Sequence, residues 1–142
     1  MPPFTTSRDL PASPAQVFAA ISTPERLARW WGPAGFTNTF TVCDFQPGGR
    51  WSFVMHGPDG AAYANENVFA EIEAPTRVVI RHVCEPLFSL TLRLEAIATG
   101  TRVSWEQVLD NPAFAEQMGH IIVPANEQNL DRLTAEVLRA NP

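Results

Sequence analysis

The sequence predicts an α+β fold: a curved antiparallel sheet of about six to seven strands wrapped around a long C-terminal helix, with two short helices after the first strand. Three observations predict it. From Thr37 to Leu109 apolar and polar residues alternate, and Gly and Pro clusters cut the alternation into hairpin-sized pieces. After Asp110-Asn111-Pro112 the apolar spacing changes to steps of three and four. Ahead of the sheet, Ser13-Pro14 and Thr23-Pro24 each read as a helix start with Pro at the first helical position.

Taken in order, Phe4 to Leu10 reads as a first strand. The helix AQVFAAIS places Val17, Phe18 and Ile21 on one side, and PERLARWW forms the second helix. Gly32-Pro33 ends it, because Gly permits a left-handed cap and Pro cannot continue a helix. TNTFTVCDF is a strand, Pro47-Gly48-Gly49 a tight turn, and RWSFVMH a strand with Trp51, Phe53 and Met55 on one face. Gly57-Pro58-Asp59-Gly60 turns into the long strand AAYANENVFAEIE, which Ala74-Pro75-Thr76 ends. RVVIRHV follows, with His82 in step with Val78 and Ile80. In LFSLTLRLEAI, Phe88, Leu90, Leu92 and Leu94 face in. Thr99-Gly100 leads to TRVSWEQVL, with Val103 and Trp105 on the inner face. The last helix carries Phe114, Met118, Ile121, Ile122, Ala125, Leu130, Leu133 and Val137, and Pro124 is expected to kink or restart it.

One stretch asks for more than a core. In LARWWGPAGF, Trp30 and Trp31 are neighbours, and on a helix neighbours point about 100° apart. One ring serves the core; the other needs a second apolar surface, such as a cavity wall.

Bulk composition narrows the function classes. The 142 residues suit a single domain, 1–142, and 45% hydrophobic against 18% charged residues describes a globular chain. The net charge of −5 leaves no basic track for phosphates, which excludes nucleic acid as a partner. All ten basic residues are Arg. No run of 18 apolar residues exists, so no membrane span is expected. The first residues lack a basic segment followed by an apolar run, and the expected location is the cytoplasm. Cys43 and Cys84 read as free thiols in strand-like segments. His56, His82 and His120 are scattered, without HxH, HExxH or CxxC spacing, so no metal site and no cofactor are expected. His82 and Cys84 would point the same way in a strand, but nothing in the sequence orients the base, and no catalytic residue is assigned.

The motifs together resemble a known family. The order of elements is similar to the helix-grip fold of the SRPBCC superfamily, which includes START and birch-pollen-allergen-like proteins. Ala12-Ser13-Pro14, Thr23-Pro24-Glu25-Arg26-Leu27, Trp30-Trp31-Gly32-Pro33, Asp44-x-x-Pro47-Gly48-Gly49-x-Trp51, Pro58-Asp59-Gly60, Glu71-Ile72-x-x-Pro75 and Gly100-Thr101-Arg102-Val103 resemble the branch related to the activator of heat-shock-protein-90 ATPase. Members often carry Gly where Glu66-Asn67 precedes Val68, and a Gly-Trp pair where this chain has IIVPANEQNL. Pro124, Asn126 and Asn129 are expected to reshape the cavity mouth.

The resemblance implies an apolar cavity between sheet and C-terminal helix that takes a small hydrophobic molecule of lipid, polyketide or aromatic type. Its expected ligand-binding residues are Trp30, Trp31, Trp51, Phe53, Met55, Glu66, His82, Phe88, Leu90, Trp105, Met118 and Ile122. Each apolar one serves equally as plain core. On AAYANENVFAEI two phases compete. Val68 and Ile72 facing in bring Glu66 in and turn Tyr63, Asn65, Asn67, Phe69 and Glu71 out; a bulge reverses part of this. Binding without chemistry is the leading reading. A cavity enzyme (a cyclase or hydrolase using Glu66, Glu71 or His82), a co-chaperone-like protein-interaction module and a filled core stay open, as does the oligomeric state.

Overall fold

A computed structural model describes residues 3–140; the outermost residues assigned to the expected domain lie outside the described ones. The chain runs β1 (Phe4–Leu10), α1 (Pro14–Ser22), α2 (Pro24–Trp30), β2 (Thr37–Cys43), β3 (Arg50–His56), β4 (Ala62–Glu73), β5 (Arg77–His82), β6 (Phe88–Ile97), β7 (Gly100–Leu109) and α3 (Pro112–Ala140). The strands form one antiparallel sheet in the order β1-β7-β6-β5-β4-β3-β2. Strands β2 to β7 are a meander of hairpins. The short helices carry the chain from one sheet edge, β1, to the other, β2. The result is the α+β helix-grip architecture.

Local chemistry explains the helices. Ser13 caps α1 by accepting from the Gln16 N–H, while the Gln16 side chain accepts from the Ser13 N–H, so two orphan donors are met reciprocally. Thr23 occupies the corresponding place before α2, yet its hydroxyl makes no cap; its backbone instead closes α1 by donating to Ala19. Helix α3 runs unbroken from Pro112 to Ala140. Pro124 therefore does not restart it. The missing N–H costs one bond, and the proline ring stands on the exposed side.

Buried Leu10, Val17, Ile21, Leu27, Trp51, Phe69, Ile80, Leu92, Val103, Leu130, Leu133 and Val137 form the core between sheet and helices. Each such side chain contributes roughly 1.5–3 kcal/mol by leaving water. Two bulges break the ladder, between Phe40 and Val42 and between Phe69 and Glu71. The second sets the phase of β4. Phe69 exchanges backbone bonds with the Pro47–Gly49 turn: Gly48 N–H donates to its carbonyl, and its own N–H donates to Gly49. Gly49 is required there, since a Cβ would lie 1.9 Å from the Asp44 carbonyl oxygen. Phe69 is thereby held inward, Asn67 and Asn65 follow at steps of two, and Ile72 returns to the inner side after the extra residue.

The first strand closes the structure against late parts of the chain. β1 pairs with β7, and Arg8 bridges to Glu127 (3.1 Å) and Asp131 (2.6 Å) of α3, with Thr6 donating to Glu127.

Candidate functional site

The site begins at the two tryptophans. Trp30 ends α2 fully buried, and its indole N–H donates to the Ala20 carbonyl at 2.9 Å, pinning α2 on α1. Trp31 is the first residue outside the helix. Its extended backbone, φ −66° and ψ 135°, releases the ring from the helical step. The ring packs edge-on to Trp51 (4.9 Å) and stacks on Trp105 (6.0 Å). One Trp is core and the other reaches across to the sheet.

Helix α3 fixes this turn by polar contacts. Asn129 donates to the Trp30 carbonyl (2.9 Å) and accepts from the Gly32 N–H (3.2 Å). The Arg132 guanidinium donates to the carbonyls of Arg29, Trp31, Gly32 and Pro33 at 2.8 to 3.1 Å. The Arg29 carbonyl is one that the end of α2 leaves unsatisfied, and the other three belong to the turn that follows. Burial lowers the Arg132 pKa from its usual value. Gly32 adopts φ 98°, and a Cβ there would meet the Met55 methyl at 2.8 Å.

Between this turn, the sheet and α3 lies a cavity of about 260 Å³. Trp31, Met55, His82, Phe88, Leu90 and Trp105 line it, as do Pro33, Pro86 and Ala125. Its polar walls are amides: Asn65, Asn67, Gln107, Asn126 and Asn129. No charged side chain is among the lining residues. Asn67 donates to the Trp51 carbonyl, and Asn126 to the Gln107 side chain. Trp105 is 3% exposed, and its indole N–H has no partner among the described residues. Leaving such a donor unmet costs about 1–3 kcal/mol. The Trp51 N–H is also unpartnered, but inside a cluster of rings away from the cavity.

Of the expected ligand-binding residues, Trp31, Met55, His82, Phe88, Leu90 and Trp105 meet around this space. Trp30, Trp51 and Phe53 are core beneath it. Met118 and Ile122 lie half-buried on α3 outside the cavity lining. Glu66 is on the other face of the sheet: it accepts from Ser52 (2.5 Å) and pairs with Arg50 (3.6 Å), half exposed. Glu71 is likewise outward, paired with Arg77 at 2.7 Å. The phase that turned Glu66 inward and Asn65, Asn67 and Phe69 outward is thus reversed by the bulge. Asn65, Asn67 and Gln107 were missed; the period-two count from Phe69, rather than Val68, would have found the first two.

His82 is buried, 6% exposed, and tightly placed. Its Nδ1 lies 2.7 Å from the Pro86 carbonyl, its Nε2 3.0 Å from the Asn65 side-chain oxygen, and Phe88 stacks on the ring at 4.5 Å. Burial pushes its pKa down, against hydrogen bonds to the Pro86 and Cys84 backbone that push it up; the net shift is downward. Cys84 lies beyond the end of β5 rather than in a strand, and its Sγ sits 3.5 Å from Nε2. The base is therefore oriented, contrary to the expectation from sequence. Cys43 is free too, and burial, with the nearby Asp44 and Glu25 charges, pushes its thiol up to about 11.

A larger, open cleft of about 600 Å³ lies outside, between the β5–β6 loop and the start of α3, and Pro86 borders both spaces. Among the described residues no three His, Cys, Asp or Glu side chains converge as a metal site, and no helix is long and apolar enough to cross a membrane.

A family model described as Activator of Hsp90 ATPase homolog 1-like protein matches residues 11–137. No curated protein matches the chain. Among solved structures it is similar to a protein from Nitrosomonas europaea (TM-score 0.87, 18% identity, covering 98% of this chain and 96% of that one). It is also similar to a protein from Arthrobacter aurescens (TM-score 0.87, 23% identity, 99% and 87% covered). An Activator of Hsp90 ATPase homolog 1-like protein from Aeromonas hydrophila shares the fold as well (TM-score 0.77, 22% identity, 98% and 94% covered).

Proposed function

The chain belongs to the Activator of Hsp90 ATPase homolog 1-like family, and from that premise we propose that it binds a small, neutral, largely apolar molecule in the cavity between sheet and α3. The observation that carries this reading is the wall chemistry. Rings of Trp31, Phe88 and Trp105 offer flat apolar surface, five amides offer neutral polar contacts, and the Trp105 N–H awaits an acceptor. Affinity comes from removing apolar ligand surface from water, and the few polar groups fix orientation. An ionised ligand is disfavoured, because no opposite charge lines the cavity to offset its desolvation. The volume suits a molecule of one or two rings rather than a long lipid chain. Partners beyond this molecule, and a cytoplasmic location, rest on the sequence alone.

Thermal-shift titration with neutral ring ketones, against their carboxylate analogues, tests the reading. A neutral ligand at 100 times its Kd adds about 2.7 kcal/mol of stability. Trp105→Phe keeps the fold and weakens binding about tenfold, the worth of one hydrogen bond to the ligand. A panel of neutral ligands that leaves Tm unmoved at every concentration overturns it.

A further inference from the structure

The cavity reading says nothing of the thiol beside it, and the geometry there points further. The Pro86 carbonyl and the Asn65 side-chain oxygen both only accept; Pro86, the nearer at 2.7 Å against 3.0 Å, takes the single proton of a neutral His82 ring on Nδ1, and Nε2 presents a lone pair. That lone pair faces the Cys84 Sγ at 3.5 Å. A thiol, a base within reach and a third group orienting the base are the parts of an activated nucleophile. The ring is held by Phe88 stacking and by burial, which keeps it neutral and able to accept a proton at pH 7. Cys84 is partly exposed, as a reacting thiol must be. A second, independent observation points to a ligand in the cavity that His82, the thiol's neighbour, lines. Trp105, on the cavity wall with His82, keeps a buried N–H without an acceptor.

We propose that Cys84 is a nucleophile that adds to a small neutral α,β-unsaturated carbonyl compound held in the cavity, with His82 as its base. The proposal rests on the cavity being a ligand site. In the step, the Sγ proton passes to His82 Nε2. The Sγ electron pair forms a C–S bond to the β-carbon, the C=C pair shifts toward the carbonyl, and the enolate oxygen accepts from an N–H donor of the wall, Trp105. The imidazolium is bound at both nitrogens, by the Pro86 carbonyl and the Asn65 oxygen. Returning its proton to the α-carbon completes addition of S–H across the double bond. No oxidant, reductant or further reactant is needed.

The experiment treats the full chain with 2-cyclohexenone, follows adducts by intact mass and peptide mapping, and runs cyclohexanone in parallel as the unreactive probe. We expect labelling of Cys84 ahead of Cys43, at a rate that saturates with cyclohexenone and falls in the presence of cyclohexanone. His82→Gln slows it about a hundredfold, the ordinary worth of a general base. Cys84→Ser removes the adduct and keeps the cyclohexanone thermal shift. If His82→Gln fails to fold, saturation in the unaltered protein decides: a rate linear in cyclohexenone marks an ordinary exposed thiol and overturns the proposal. A cyclohexanone shift without a Cys84 adduct overturns the covalent step and leaves the cavity reading standing. Linear labelling with no cyclohexanone shift overturns both.

Discussion

The two halves of α3 carry the same kind of apolar spacing and end in different states. From Asn129 onward the helix is closed. Leu130, Leu133 and Val137 are fully buried, Asn129 and Arg132 hold the Trp30–Pro33 turn, and Glu136, 4% exposed, accepts from Arg26 and Arg139 with Arg29 nearby. Before that point, apart from the buried Ala115, the helix is open. Met118 and Ile122 are half-buried, Ile121 and Val123 are 50% and 52% exposed, and cavity and outer cleft lie alongside. The difference teaches that apolar periodicity marks a face without saying whether the face meets anything. The closed half bonds to α2 and the turn after it through Asn129, Arg132 and Glu136; the open half borders the cavity and the outer cleft.

The largest way to break this contrast is in the closed half. Leu133→Ala removes a side chain with no solvent contact and is expected to cost about 2–5 kcal/mol, read by urea unfolding. The equivalent change at Ile121, to Ala, is expected to fall within about 0.5 kcal/mol of zero. Equal costs at both positions would erase the distinction between the halves.

Glu136 sharpens it at intermediate size. Burial raises its pKa, but hydrogen bonds from Arg139 and Arg26 outweigh that and hold it below the ordinary 4.5. A depressed folded-state pKa means the stabilisation is present above the unfolded value and is lost as pH falls through the folded one. Glu136→Gln is expected to cost about 1.5–3 kcal/mol at pH 7, the range for hydrogen bonds to a charged group, and to flatten the loss of stability on acidification below 4.5. An acid profile unchanged by the substitution would place the titrating stabilisation elsewhere.

How much of this was legible in the sequence follows the same divide. Strong local signals were readable: the Ser13-Pro14 helix start, the alternation through Leu90, Leu92 and Leu94, the inward phase of His82, and a second surface for the paired tryptophans. What failed depended on distant partners. The phase of β4 is set by Phe69 bonding to Gly48 and Gly49, about twenty residues earlier, so Glu66 and Asn67 exchange faces without any local sign. The orientation of His82 comes from Pro86, on a loop whose path no periodicity describes. Met118 and Ile122 match the helical pattern but stand before the helix reaches the cavity at Ala125. The amide wall was illegible for a related reason: Asn and Gln on a strand ordinarily read as solvent-facing.

The pairing of β1 carries a consequence for how the molecule is made. This strand leaves the ribosome before the other six, yet its neighbours are β7 and the middle of α3, more than ninety residues later. A nascent chain halted before Gly100 holds Phe4–Leu10 with nothing to bond to, while the β2–β6 hairpins already have theirs. Completion of the sheet waits until β7 and α3 have been made, and those later elements bring the earlier strand into place.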